Sequence, residues 1–298
     1  MPVGVMFPGQ GAQRPGLGEE WRDDEVWSVV ERAERVLGRD LSPLLLDPDA
    51  KLDRTEDAQL AVLLSSLMAW EKVGRSIGEP VAFAGHSLGQ ITALMAAGTL
   101  PFDEGIRLAA RRAGHTQRAA DRTQGQMVAL LGATPEQADA VCATAPDACW
   151  VANDNAPGQV VVAGTPEGVD SAVCAAPAAG VRRTARLQVG GAFHTPLMEE
   201  ARVAFAGDLE GADLHAGTTP VVSNGDGEAY QDGGGWRRRL ADHLVHPVRW
   251  RQSVETLVRM GATELVEVGP GTTLAGLARR IAPGVSVRST DDLERAPQ

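Results

Sequence analysis

The apolar positions of the chain follow two rhythms. Short unbroken runs at Val3–Phe7 ("VGVMF"), Pro80–Ser87 ("PVAFAGHS") and Glu264–Val268 ("ELVEV") end in glycine- or proline-rich turns and predict buried strands. Longer stretches with apolar residues near helical spacing predict helices over Glu19–Leu37, Asp57–Val73, Leu88–Ala97, Asp103–Ala119, Pro196–Leu209, Trp236–Val245 and Arg251–Gly261, with a last helix ending at Ile281. A strand is also expected at Pro220–Asn224, a loop at Gly225–Gly235 and a loose tail at Ser289–Gln298. Strands alternating with helices predict an α/β protein with a mainly parallel sheet.

The rhythm changes between Gln126 and Val189. Strand (Met127–Leu131), helix (Pro135–Ala143), strands (Trp150–Asn153 and Gln159–Ala163), helix (Glu167–Ala176) and strand (Arg183–Val189) follow in turn. That βαββαβ order is the ferredoxin-like unit. The expected organisation is a large α/β catalytic domain from residues 1–124 and 191–298, with residues 125–190 inserted as a ferredoxin-like subdomain.

Composition narrows the function classes. At 298 residues the chain can bury a full core, and with only 4% aromatics that core must be built from small aliphatic side chains. A net charge of −11 argues against non-specific nucleic-acid binding. Cys142, Cys149 and Cys174 form no C-x-x-C pair, which fits a reducing compartment. The opening "MPVGVMFPGQ" is not a signal peptide, and no apolar run reaches the ~18 residues of a membrane span. The expectation is a cytoplasmic protein that uses no membrane.

The chemistry centres on "GHSLG" at Gly85–Gly89, a G-x-S-x-G between a predicted strand and a predicted helix. This is the setting of a nucleophile elbow: the glycines permit a sharp turn, and the helix N-terminus behind Ser87 favours an oxyanion. The competing reading is a buried structural serine. Ser87 needs a base. His194, in the glycine-rich turn "GGAFHTPLM", can present its ring to a cleft; His243 and His246 share a face of "DHLVHP", His115 lies beside Arg112, and His86 is expected to pack. No zinc-type spacing occurs. "FPGQGAQ" fails as a dinucleotide fingerprint because Arg14 stands where the third glycine belongs. It reads as a turn after the first strand, and "VEVGPG" as a second strand–turn–helix junction; both can line one crevice. Of Arg111 and Arg112, one can turn inward and would then need a carboxylate or phosphate.

In order along the chain, "FPGQGAQ", "GHSLG", "RRAGHTQ", "NAPGQVVVAG", "GAFHTPLM", "HPVRW" and "EVGPG" resemble the malonyl-CoA:acyl carrier protein transacylase family, from about Val3 to Ile281. The resemblance implies a hydrolase-like α/β domain with an inserted ferredoxin-like unit, and ping-pong transfer of malonyl from CoA to the phosphopantetheine thiol of a holo carrier protein. It implies Ser87 as nucleophile, His194 as general base, and the backbone N–H groups of Gln10 and Leu88 as oxyanion hole. It places Arg112 on the malonyl carboxylate and Gln59 along the pocket. Phe193, before the histidine, goes with malonyl rather than methylmalonyl in polyketide acyltransferases, and Leu88 fits that choice.

In the family the histidine is oriented by a carbonyl or amide oxygen, at a site matching His243, where many members carry glutamine. Gln90 stands where many have glutamate, Leu60 where proline is usual, and Asn153 and Asn155 match a polar loop. No bound cofactor or metal is implied; malonyl-CoA is the donor substrate, and the protein is expected to be a monomer. Arg107, Arg111, Arg118, Arg122 and Arg182 are a candidate landing patch for an acidic carrier protein. The alternatives on the same fold are an editing hydrolase acting on acyl carrier proteins and transfer of a different carboxylated extender unit; a non-catalytic binding module is the third class.

Overall fold

The computed structural model describes residues 1–294. In chain order the first part runs β1 (Pro2–Phe7), α1 (Ser28–Leu37), α2 (Ser42–Leu46), α3 (Thr55–Val73), β2 (Glu79–Gly85), α4 (Gly89–Ala96) and α5 (Phe102–Arg122). The middle runs β3 (Gln126–Leu131), α6 (Pro135–Cys142), β4 (Cys149–Ala156), β5 (Gln159–Gly164), α7 (Pro166–Ala175) and β6 (Arg183–Arg186). The last part runs α8 (Glu199–Glu210), β7 (Val221–Val222), β8 (Ala229–Tyr230), α9 (Trp236–Asp242), α10 (Trp250–Arg259), β9 (Glu264–Glu267), α11 (Thr273–Ile281), β10 (Ser286–Ser289) and α12 (Thr290–Glu294).

One sheet has the order β10-β9-β1-β2-β7-β8 and is parallel throughout except for the β7–β8 pair. The pairing of Phe7 with Gly85 and of Met6 with Glu267 brings the C-terminal ends of β1, β2 and β9 to one edge. The turns after these three strands therefore meet at one crevice, the usual ligand site of an open α/β sheet. α3 is buried on nearly every side, which explains its lack of a polar face. Each fully buried Leu or Val along it contributes about 1.5–3 kcal/mol.

The second sheet is antiparallel, β4-β5-β3-β6, which is the strand order of a ferredoxin-like unit. Its side chains alternate. Val128, Leu130, Val160 and Val162 pack under α6 and α7, whereas Met127, Ala129 and Val161 form the opposite face. That opposite face lines the crevice. The second sheet is tied to α10 and the residues before it by backbone bonds of Val248 to Ala152 and Asp154, both 2.9 Å, and by Arg251 on Asp154 at 2.7 Å.

Several expected elements differ. The helix over Glu19–Leu37 is two 3₁₀ turns followed by α1, because the Asp24 carboxylate accepts the Val26 N–H and starts a new turn there. The Pro220–Asn224 strand shrinks to Val221–Val222, and the expected Gly225–Gly235 loop contains β8, which pairs back onto it. The tail is not loose where it is described: Ser289 closes an edge strand on β9 and Thr290–Glu294 is helical, while residues 295–298 lie outside the described residues. Among the described residues no helix is long and apolar enough to cross a membrane.

Candidate active site

The sharp turn between β2 and α4 rests on glycines that let backbone meet backbone. A Cβ on Gly85 would lie 1.8 Å from the Gly89 carbonyl oxygen, and one on Gly89 would lie 2.3 Å from that of Phe7. The turn after β1 nests against the same elbow, since a Cβ on Gly9 would lie 2.4 Å from the His86 carbonyl oxygen and 3.6 Å from the Leu88 nitrogen. The Gln10 and Leu88 loops are thus neighbours at the mouth of α4. Both residues line the cavity beside Ser87.

Ser87 has φ 53°, in the left-handed region that residues with a Cβ rarely adopt. Its Oγ lies 2.8 Å from His194 Nε2. His194 shares the left-handed backbone, with φ 62°. Its Nδ1–H donates to the His243 carbonyl at 2.8 Å, which leaves Nε2 free to accept from the Ser87 hydroxyl. Burial first, and the Arg112 charge second, push the His194 imidazole down to about 3, so it is neutral at neutral pH. A main-chain carbonyl, rather than a carboxylate, thus fixes the tautomer.

Arg112 is the inward-turned member of the arginine pair and is buried. Its Nη2 donates to Ser87 Oγ at 3.1 Å and its Nη1 to Gln59 Oε1 at 2.6 Å. Gln59 in turn donates to Thr116 Oγ1 at 3.2 Å, so a three-residue chain aims the guanidinium. Burial lowers the Arg112 pKa to about 10, which leaves it charged at neutral pH. Among the described residues no carboxylate forms an ion pair with it. A buried cation facing only neutral partners is poised for an anion from outside. Arg111, by contrast, points out and pairs with Asp208 at 3.0 Å.

Gln10, Gln59, Ser87, Leu88, Arg112, Phe193 and His194 all line one cavity. His243 does not line it. Its ring stands behind His194, with centroids 4.7 Å apart, and its carbonyl makes the contact. His86 packs edge-on to Trp250, as expected, and also bonds Asn155 Oδ1 through Nε2 at 2.9 Å. His115 bonds Asp208, and His246 Nδ1–H donates to the Asp242 carbonyl. The candidate basic patch is largely self-paired: Arg107 faces Glu104, Arg111 faces Asp208 and Arg122 faces Glu200.

Two contributors went unnoticed in the sequence. Asn224 Oδ1 accepts the Ser87 N–H at 2.8 Å, and Thr116 holds Gln59. Thr116 carries a signal, because it lies four residues after Arg112 on the same helix face. Asn224 carries none, being far away in sequence within a stretch that reads as a strand end. Among the described residues no group of three or more His, Cys, Asp or Glu is arranged to hold a metal ion.

A serine on a strand–helix elbow, a neutral histidine on its hydroxyl and a buried guanidinium beside both define an acyl-transfer centre. Residues 5–285 match the family model described as an acyl transferase domain. The chain is 32% identical over 298 residues to a malonyl CoA-acyl carrier protein transacylase of Bacillus subtilis, covering 98% of this chain and 94% of that protein. It is 35% identical over 283 residues to a polyketide biosynthesis malonyl CoA-acyl carrier protein transacylase of Bacillus velezensis, covering 94% and 96%. In structure it is similar to a malonyl-transacylase solved in complex with its type II polyketide synthase acyl carrier protein, with a TM-score of 0.92 and 34% identity over 98% of this chain and 96% of that one. The chain belongs to the malonyl-CoA:acyl carrier protein transacylase family.

Proposed function

We propose that this protein moves a malonyl group from malonyl-CoA to the phosphopantetheine thiol of a holo acyl carrier protein through an ester on Ser87. The observation that carries the reading is the sharing of Ser87 Oγ between His194 Nε2 at 2.8 Å and Arg112 Nη2 at 3.1 Å. In the first half-reaction Ser87 Oγ attacks the thioester carbonyl carbon and its proton passes to His194 Nε2. The carbon–sulfur bond then breaks, and His194 returns the proton to the departing CoA sulfur. In the second half-reaction the carrier's thiol gives its proton to His194, its sulfur takes the acyl carbon, and Ser87 recovers the proton as its oxygen leaves.

The N–H groups of Gln10 and Leu88 face the oxyanion of both tetrahedral intermediates; one such donor is worth about 10²–10³ in rate. Arg112 holds the malonyl carboxylate with two parallel hydrogen bonds in place of its present bond to the serine. A carboxylate one methylene beyond the acyl carbonyl fits a guanidinium in direct contact with the nucleophile. Gln59 fixes the plane of the guanidinium, and Phe193 narrows the space beside the acyl α-carbon. His243 serves through its carbonyl.

The same reading treats residues 125–190 as an inserted subdomain that closes the cleft over a catalytic domain of residues 1–124 and 191–298. It places the protein in the cytoplasm as a monomer, with its three cysteines as free thiols. A panel of acyl-CoA donors, assayed with and without holo carrier protein, tests the function. Malonyl transfer to the carrier outpacing hydrolysis supports it; hydrolysis that outruns transfer, or equal use of uncharged donors, contradicts it.

A further inference from the structure

Asn224 lies in the turn after β7 and is only 1% exposed. Its side-chain oxygen accepts the Ser87 N–H at 2.8 Å. Because only an oxygen can face a backbone N–H, the orientation of the amide is set. The backbone of Asn224 is held in turn. Its N–H donates to Gln90 Oε1 at 2.9 Å, its carbonyl accepts the Arg249 N–H at 2.9 Å, and Gln90 Nε2 donates to the Val222 carbonyl at 3.0 Å. Gln90 thus uses both ends of its amide, one as acceptor and one as donor, to fasten the β7 end to the helix behind the nucleophile.

The Ser87 N–H needs such a partner. The left-handed turn takes it out of the sheet ladder, and it sits too early in the chain to join the α4 hydrogen-bond pattern. A residue with a Cβ stays in that conformation only where its surroundings over-determine it. We propose that Asn224 is a positioning residue for the nucleophile, acting through the Ser87 backbone and locked by Gln90, so that Ser87 Oγ stays aimed at His194 and the Leu88 N–H at the oxyanion. Removing the acceptor leaves a buried N–H unpaired, and the turn relaxes by rotating Oγ away from the imidazole. The inference rests on the acyl-enzyme reading above.

The test compares wild type, N224A and N224D as full chains. The readouts are the single-turnover rate of Ser87 acylation by malonyl-CoA, the rate of labelling by a fluorophosphonate, which needs no malonyl recognition, and Tm. N224A is expected to lose about ten- to a hundred-fold in both rates, with little change in KM for malonyl-CoA. N224D keeps an oxygen before the N–H but sets a second carboxylate oxygen where Nδ2 is buried without a partner, so it is expected to recover only part of the rate and to melt lower than wild type. N224S gives the same readouts where N224A is insoluble. Wild-type rates in N224A, or a loss confined to KM, would each overturn the proposal. A wild-type protein that takes up no malonyl would overturn the acyl-enzyme reading instead, and the fluorophosphonate comparison would still decide the role of Asn224.

Discussion

Ser87 and His194 are joined by a 2.8 Å hydrogen bond, and they are the two non-glycine residues with left-handed backbone among those described. Each such conformation costs on the order of 1–3 kcal/mol. The fold concentrates its backbone strain on the two ends of the bond that carries the proton. Strain on both partners indicates that their direction, rather than mere proximity, is what the surrounding loops secure.

Arg112 should discriminate donors. It is buried, charged and without a carboxylate partner, so R112A is expected to reduce malonyl loading on the order of 10²-fold while sparing acetyl loading. R112K should restore little, because an ammonium cannot supply the two parallel bonds. Equal loss of malonyl and acetyl loading in R112A contradicts the carboxylate role.

The acid limb of kcat/KM should lie unusually low. His194 is held down to about 3 by burial and then by Arg112, and only the neutral ring can take the serine proton. Activity is therefore lost as pH falls through the folded value, and kcat/KM for malonyl-CoA should stay level down to about pH 5. In R112A the repelling charge is gone, so the limb should move up toward the ordinary histidine range. A wild-type limb near 6.5, unmoved by R112A, contradicts this electrostatic picture.

Stability should fall on mild acidification. His86, His194 and His243 are all held below the ordinary 6.5 by burial as the first cause. Below that value the unfolded chain binds protons that the native state refuses, so the native state weakens as pH drops from 6.5 toward the lower folded values. Glu267 works in the opposite sense. Burial raises it to about 7, so the native state keeps a proton that the unfolded chain releases above 4.5, and that contribution is lost as pH rises. Urea midpoints measured from about pH 7 to about pH 5 should decline, and E267Q should make the decline steeper. A flat profile, or a shallower one in E267Q, argues against this balance.

Close approach around the elbow predicts a sharp response at Gly9. G9A puts a Cβ 2.4 Å from the His86 carbonyl oxygen, a backbone atom that cannot swing aside. The variant should lose about 1–3 kcal/mol of stability, and Ser87 acylation with it, because the loop bearing the Gln10 N–H is pushed off the elbow. A G9A protein with wild-type melting and acylation rate would show that the loop accommodates the methyl freely.

Much of this arrangement was legible in the chain itself. The runs ending at Phe7, Ser87 and Val268 mark three strands whose exits share an edge, and G-H-S-L-G marks the elbow. The alternation in the middle segment predicts both the βαββαβ order and the sheet it forms. What stayed hidden depends on contacts distant in sequence. Arg111 and Arg112 have the same local pattern; the family resemblance singles out Arg112, but its bond to Gln59 comes from the packing of α5 against α3. The edge strand at Ser286–Ser289 has too few apolar residues to stand out and is held by its ladder to β9. Asn224 reaches Ser87 across 137 residues of chain.

The central claim is that Ser87 carries the malonyl group between donor and carrier. Intact-mass measurement of the protein mixed with malonyl-CoA, before and after addition of holo carrier protein, tests it directly. The account predicts one malonyl adduct per chain, absent in S87A, that disappears as the carrier gains the same mass. An unmodified wild-type protein, or an adduct that survives in S87A or never passes to the carrier, contradicts it.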